Sequence, residues 1–184
     1  MARLAKVAVI SIALSQVACT PVPVEPDEVR AEREEPRRPS GPAPERRFAF
    51  TTLDGKLVTH KTFRGRMTVI ALVTTYDTAS QAQTSFITSV AHRHTPRTNA
   101  LLLVLEPATH LPLVEAYASS LGVDYPVALA DEATVAGEGA FDGLHTVPSV
   151  VILDRDGREV WRKVGLVDAK ELSNVLHGFD GGPR

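Results

Sequence analysis

Cysteine is almost absent from this chain. Its 184 residues include a single cysteine, Cys19, which lies close to the N-terminus. Disulfide exchange needs one sulfur that attacks and another that leaves. The sequence after residue 47 therefore contains no side chain that can carry out thiol chemistry.

The chain also has no strong excess of charge and no glycine-rich phosphate loop. Its 20 Lys and Arg residues nearly balance 22 Asp and Glu residues, giving a formal net charge of −2. A near-neutral protein gives no support for nucleic acid as a partner. No internal repeat is present, so the chain is expected to contain one domain of ordinary size.

The N-terminus lacks an apolar run long enough to span a bilayer, which takes about 20 residues. Two basic side chains, Arg3 and Lys6, precede a short apolar stretch at residues 7–14, and small Ala18 comes just before Cys19. Basic, then apolar, then small is the order of a secretory signal peptide. Residues 1–18 are therefore predicted to be a signal peptide.

A leader that stops directly at a cysteine resembles a bacterial lipoprotein signal. The resemblance implies that Cys19 becomes the lipidated first residue of the mature chain, which would account for an unpaired thiol in a secreted protein. Gln16 departs from the pattern, because an apolar residue is usual there. The alternative is an ordinary cleavable signal that leaves a free cysteine.

Residues 19–47 have a different composition. Seven prolines occur here, mixed with Glu, Arg and Ser, and there is no apolar period. Such a stretch cannot bury enough surface to offset its ordering entropy, and its prolines keep it extended. We predict a disordered, proline-rich stalk that holds the following domain away from a membrane. The alternative is a plain disordered N-terminus.

Residues 48–180 have the pattern of an α/β domain. Continuous β-branched and aliphatic runs predict strands that are buried on both faces, and apolar residues at helical spacing predict helices between them. Asp-Gly turns between short apolar stretches predict a hairpin near each end of the domain. The predicted elements are hairpins at 48–59 and 150–164, strands at 67–73, 100–105 and 125–130, and helices at 80–92, 111–121 and 168–177.

Four short strings in this domain are similar to those of thioredoxin-fold, membrane-tethered thiol-disulfide proteins of the TlpA and ResA type (redoxins). They are Leu53-Asp54-Gly55-Lys56, Phe63-Arg64-Gly65-Arg66, Val147-Pro148-Ser149 and residues 151–158. Each string alone is common, and the resemblance depends on their order and separation across nearly the whole domain. It implies an α/β, thioredoxin-like fold with a central mixed β-sheet flanked by helices and an N-terminal hairpin.

The resemblance also implies where the family's active site would lie. In the family, the first central strand ends in a loop with a Cys-x-x-Cys motif, which opens the next helix. Here Tyr76 stands where the family has an aromatic residue, Asp77 at the first cysteine position and Ser80 at the second. Pro148, preceded by Val147, matches the family's cis-proline, whose backbone edge pairs with an extended substrate segment.

With Asp77 and Ser80 in these positions, we predict no dithiol oxidoreductase or thiol peroxidase activity and assign no catalytic residue. A carboxylate cannot form a mixed disulfide, and a serine hydroxyl is a weak nucleophile without a base beside it. Asp is a favoured helix N-cap, so Asp77 is expected to have a structural role if the helix begins at Thr78. Pro148 either keeps a peptide-binding edge or is retained because the fold packs around it.

The histidines give little indication of a metal site. His92 and His94 are two residues apart near a predicted helix end, so their side chains point in different directions. His145 is close to Pro148 in the sequence, but together with Asp77 it would form an incomplete ligand set. We expect no metal and no cofactor.

Two functions remain open from the sequence. The first is a non-enzymatic binding or scaffolding module of the bacterial cell envelope, whose contact face is formed by residues 76–80 and 147–149 and whose partner is an unknown envelope protein or extended peptide segment. The second is a redoxin-type thiol-disulfide oxidoreductase that acts with the thiols of a partner. The lipoprotein resemblance implies a lipid anchor facing the periplasm, and Thr20 favours the outer membrane because inner-membrane retention is linked with aspartate there.

Overall fold

A computed structural model of the chain describes residues 44–180. The predicted signal peptide, Cys19 and the predicted stalk as far as residue 43 lie outside the described residues. Within residues 44–180, no helix is long and apolar enough to cross a membrane.

Seven strands and four α-helices make up the described part of the chain. The strands are β1 (Ala49–Thr51), β2 (Leu57–Thr59), β3 (Met67–Val73), β4 (Thr98–Val104), β5 (Val127–Leu129), β6 (Ser149–Leu153) and β7 (Glu159–Val164). The α-helices are α1 (Thr78–His94), α2 (Leu111–Ser120), α3 (Glu132–Val135) and α4 (Ala169–Asp180).

Five strands form the central sheet in the order β5-β4-β3-β6-β7, and β1 pairs with β2 in a separate hairpin. β3, β4 and β5 are parallel, whereas β6 is antiparallel to both β3 and β7. Met67 pairs with Thr98 and Val73 with Val104, so β3 and β4 begin and end side by side. The loops that follow these two strands are therefore neighbours at the carboxyl-terminal edge of the sheet.

The central sheet is buried on both faces. In β3, Val69 and Ala71 belong to one apolar cluster, and the alternate residues Ile70 and Leu72 belong to another. Side chains of α1, α2 and α4 complete the first cluster. Phenylalanines of the N-terminal hairpin region, together with Phe141, complete the second. Burial on both faces explains why the central strands are continuous apolar runs rather than alternating ones.

The predicted mixed sheet with flanking helices and an N-terminal hairpin is confirmed. β3 has the predicted bounds, while α1 extends two residues beyond its prediction at each end and β5 is shorter than predicted. Helix α3 and two single 3₁₀ turns, Ala108–His110 and Gly139–Phe141, were not predicted. Segments of three or four residues span about one helical turn, so they give no repeated apolar pattern to detect.

Candidate functional site

Asp77 begins helix α1. Its backbone is extended, and its carboxylate accepts hydrogen bonds from the N–H groups of Ala79, at 3.2 Å, and Ser80, at 2.8 Å. Hydrogen bonding from Ser80 lowers the pKa of the Asp77 carboxyl below its ordinary value, although desolvation acts against this. The expected N-cap role of Asp77 is thus confirmed, and its negative charge lies at the positive end of the helix.

Ser80 lies beneath the loop that joins β3 to α1. It is completely buried, and its Oγ accepts a hydrogen bond from the N–H of Thr74 at 3.2 Å. Its carbonyl oxygen accepts a hydrogen bond from the hydroxyl of Thr84 at 2.9 Å. A hydroxyl held in this way has no access to a substrate. Asp77 and Ser80 together fasten the loop to the first turn of α1 by hydrogen bonds.

Sequence reasoning missed Glu106, which lies beside this loop. Its carboxylate accepts a hydrogen bond from the N–H of Thr75 and lies 2.9 Å from Nδ1 of His110. Glu106 is only 3% exposed, whereas the His110 side chain is 46% exposed. A signal was present: a carboxylate two residues after a buried strand parallel to β3, with a histidine four residues later.

The charge of Glu106 is stabilised by its neighbours. Burial acts to raise the pKa of Glu106, but the hydrogen bonds from Thr75 and the nearby His110 outweigh it, so the pKa is lowered. The carboxylate is therefore ionised at neutral pH and fixes both the loop backbone and the orientation of a half-exposed imidazole. None of the described residues places a hydroxyl in hydrogen-bond contact with His110.

The segment around Pro148 faces the same edge of the sheet. The Val147–Pro148 peptide bond is cis, as the resemblance implied; Thr95–Pro96 is also cis, which was not predicted. The carbonyl oxygen of Pro148 accepts a hydrogen bond from the N–H of Gly165 at 2.8 Å. The backbone N–H and C=O of Val147 have no hydrogen-bond partner within residues 44–180. An unpaired backbone edge therefore remains at Val147, two residues before β6 begins.

Gln83 connects this segment with α1. Its side-chain oxygen accepts a hydrogen bond from the N–H of Val167 at 2.8 Å, and its side-chain nitrogen donates to the carbonyl of Val167 at 3.1 Å. Since Gly165 is bonded to Pro148, these contacts join residues 165–167 to both α1 and the cis-proline segment. The structure thus brings the predicted site residues of the two loops to one end of the sheet.

Exposed apolar side chains are concentrated at this end. Six large hydrophobic residues are well exposed within residues 44–180, and four of them lie in or within three residues of the segments just described. Tyr76 is 76% exposed, and Leu113, Val164 and Leu166 are between 42% and 51% exposed. A concentration of exposed apolar residues around one edge is a feature of protein-binding surfaces.

The histidines considered as metal ligands lie apart from one another. His92 Nε2 is 2.9 Å from the carboxylate of Asp124, whereas His94 is buried and its Nε2 lies 3.2 Å from Ser173 Oγ. His145 is exposed and lies against Gly137. In the described part of the chain, no three His, Cys, Asp or Glu side chains lie together in an arrangement that could hold a metal ion.

Comparison with known proteins identifies the fold. The structure is similar to a DsbF homologue from Corynebacterium diphtheriae, with a TM-score of 0.70, 13% identity, and coverage of 80% of this chain and 95% of the other. It is also similar to a thioredoxin-family thiol:disulfide interchange protein from Chlorobium tepidum, with a TM-score of 0.66, 18% identity, and coverage of 76% and 97%. A secreted thiol-disulfide isomerase from Corynebacterium glutamicum gives a TM-score of 0.66 at 14% identity, with coverage of 79% and 92%.

These similarities establish a thioredoxin-like fold for the domain. No family model and no curated protein matches the sequence. At such low identity, a shared fold does not carry a shared activity. The assignment of Asp77 and Ser80 to the family's two cysteine positions stays a prediction.

Proposed function

We propose that this protein is a thioredoxin-fold binding module of the bacterial cell envelope, which binds an extended peptide segment of another protein and does not exchange disulfides. One observation carries the proposal. Asp77 and Ser80 are both engaged in hydrogen bonds that build the start of α1, while the backbone of Val147 stays unpaired beside exposed apolar side chains.

An unpaired backbone edge suits binding by strand addition. In that mode the main chain of an extended segment supplies hydrogen bonds, and pockets or apolar surfaces beside the edge select its side chains. Val147 offers one donor and one acceptor within the described residues, and Tyr76 and Leu166 offer apolar surface on neighbouring segments. The partner is therefore an extended segment with apolar side chains.

The loop is held in place before a partner binds. Thr74 and Thr75 donate their N–H groups to Ser80 and Glu106, and Asp77 caps α1. Binding to a surface that is already ordered avoids the entropy cost of ordering it. Fixed hydrogen bonds here support a binding role more than a reactive one.

A screen of immobilised extended peptides tests the binding proposal. Peptides that bind the purified chain are expected to lose affinity with Tyr76→Ala or Leu166→Asp. Leu57→Ala is the matched control, because Leu57 is 65% exposed but belongs to the separate β1–β2 hairpin. Binding that depends on Leu57 and not on Tyr76 or Leu166 would place the binding surface elsewhere.

The second function is a redoxin that acts with the thiols of a partner. It is favoured by two structural neighbours, one described as a thiol:disulfide interchange protein and the other as a thiol-disulfide isomerase. Insulin reduction with dithiothreitol separates the two functions. The binding proposal expects a rate equal to the blank, because no cysteine occurs within residues 44–180. Turnover above the blank would reject it.

We also propose that the chain is exported and anchored by a lipid at Cys19, in the outer membrane and facing the periplasm. The order of the leader residues supports this, and one structural neighbour is itself described as secreted. Cys19→Ala should move the protein from the membrane fraction to the soluble fraction. Unchanged retention in the membrane fraction would reject a lipid anchor at this residue.

A further inference from the structure

The end of the sheet opposite the candidate site carries a concentration of positive charge. Arg66 directly precedes β3 and Arg97 directly precedes β4, and the first residues of these strands are paired in register. Arg93 lies in the last turn of α1, and the turn from α1 to β4 is closed by the N–H of Arg97 bonded to the carbonyl of His94 at 2.8 Å. These arginines therefore lie together where β3 and β4 begin.

Two more cations come from the turn before β3. The N–H of Arg64 is bonded to the carbonyl of Lys61 at 3.4 Å, so both belong to the turn that leads into Arg66. We call Lys61, Arg64, Arg66, Arg93 and Arg97 the basic patch. All five residues are exposed.

The positive charge of the basic patch is largely unneutralised. Within residues 44–180, Arg64 has an ion pair with Glu45, and none of the other four patch residues has one. Arg93 donates only a long contact, 3.4 Å, to Ser89 Oγ. The nearby carboxylate of Asp124 is paired with His92 instead.

The stretch of chain from β4 to β6 has the opposite composition. Residues 98–153 contain seven Asp and Glu residues and no Lys or Arg. Glu106, one of these seven, lies with Asp77 at the candidate site, at the far end of β3 and β4.

The N-terminal part of the described chain enters the domain at this same end. The N–H of Arg46 is bonded to the carbonyl of Gly157 at 2.9 Å, and Glu45 forms a β-bridge with Arg158. Both partners lie in the β6–β7 turn, next to the end of β6, where Leu153 pairs with Thr68 near the start of β3. The described chain therefore begins at the same end of the sheet as the basic patch.

We propose that the basic patch is a docking surface for a membrane that contains anionic phospholipid, so that the domain rests with its candidate site directed away from the lipid. Arginine suits this role, because its planar guanidinium can donate two parallel hydrogen bonds to the oxygens of one phosphate group. Each Lys or Arg close to an anionic surface strengthens binding about fivefold. The surface does not depend on the lipid anchor or on peptide binding at the candidate site.

Vesicle binding tests this proposal without the predicted anchor. The protein used begins at Thr20, which removes Cys19 and leaves both apolar clusters, since all their residues lie between 48 and 179. Binding is expected to phosphatidylcholine vesicles that contain phosphatidylglycerol, and to weaken as salt is added. Equal binding to vesicles of phosphatidylcholine alone would overturn the proposal.

Matched charge removals locate the surface. Arg66→Gln and Arg97→Gln should each weaken binding to anionic vesicles about fivefold. Lys170→Gln removes an exposed positive charge at the first turn of α4, near Val167 at the other end of the sheet, and should leave binding unchanged. An equal loss with Lys170→Gln would show a non-specific charge effect.

Two competing ligands complete the test. Displacement of the protein from vesicles by millimolar inorganic phosphate would indicate a small-anion site instead, and tighter binding to a DNA duplex would indicate a nucleic-acid site. Either result would also overturn the proposal.

Discussion

At the residue scale, Asp77 shows how one carboxylate holds the first turn of a helix. Its carboxylate accepts hydrogen bonds from two backbone N–H groups at the start of α1. The helix loses its cap in the Asp77→Ala variant, which should lower the free energy of unfolding by about 1 kcal/mol in urea titration. Asp77→Asn keeps an acceptor oxygen and should lose less than half of that. Equal losses in the two variants would argue against capping as the role of this side chain.

The charge of Glu106 should stabilise the folded protein in a way that depends on pH. Its pKa in the folded protein is lowered from 4.5, so its contribution to stability is complete above the unfolded pKa and is lost as pH falls through the folded pKa. Glu106→Ala also leaves the buried N–H of Thr75 without an acceptor. We expect a cost of about 1–3 kcal/mol near neutral pH, measured by urea unfolding, and a smaller difference from wild type once the pH falls below the lowered pKa of Glu106.

Glu106→Gln is the control for this prediction. The amide oxygen can still accept from the N–H of Thr75, so its loss of stability should be smaller than that of Glu106→Ala. Because the side chain no longer ionises, the difference from wild type should shrink as the pH is lowered through the acid range. If the free energy of unfolding of both variants changed with pH just as that of the wild type does, the charge of Glu106 would not stabilise the fold.

The sequence patterns predicted the role of Asp77 but not that of Glu106. Asp77 could be predicted as a cap because the relevant partners lie two and three residues away. The position of Glu106 after a buried strand marks it as a candidate, but its contact with Thr75 spans 31 residues and depends on the parallel pairing of β3 with β4. The sequence contains the carboxylate, but only the sheet register shows which loop it meets.

At the element scale, four residues separate the end of β3 from the start of α1, and Asp77 caps the N-terminus of this helix. A helix N-terminus lowers the pKa of a thiol placed there, which increases the fraction of thiolate. A chain with both Asp77→Cys and Ser80→Cys is therefore expected to form a disulfide and to reduce insulin above the blank. Asp77→Cys alone has no second sulfur in the loop and should fail.

The double variant also tests the predicted correspondence with the family's Cys-x-x-Cys motif. Free thiols would be counted in a chain that begins at Thr20, and so lacks Cys19, by titration after oxidation and again after reduction. Two thiols that remain free under oxidising conditions would contradict the correspondence, whether or not insulin is reduced. This outcome does not depend on what the natural chain binds.

Elements whose pattern is local in the sequence could be predicted, whereas contacts between distant parts of the chain could not. β3 was predicted with its observed bounds, because burial on both faces requires seven consecutive residues without a strongly polar side chain. The contact between Gln83 and Val167 spans 84 residues and has no counterpart in any local pattern. That contact, rather than periodicity, brings residues 165–167 beside α1 and completes the candidate site.

At the scale of the whole molecule, the two proposed surfaces lie at opposite ends of the central strands. β3 has seven residues, and at about 3.3 Å per residue it separates the two ends by about 20 Å. Charges on exposed side chains are screened over about 8 Å at physiological salt. The field of the basic patch therefore falls off well before the loop around Tyr76, and the two surfaces should act independently.

Because the two surfaces are separate, a change at one of them should not affect binding at the other. The combined change Arg66→Gln and Arg97→Gln should leave the affinity for a bound peptide unchanged within about twofold, whereas it should weaken vesicle binding about 25-fold if the two charges contribute independently. Tyr76→Ala should do the reverse in both assays. A parallel loss of peptide and vesicle binding in either variant would mean that the two surfaces are one site or that the fold itself is damaged. Thermal melting of the variants distinguishes these two cases, because exposed residues at either end should leave the melting temperature close to that of the unaltered chain.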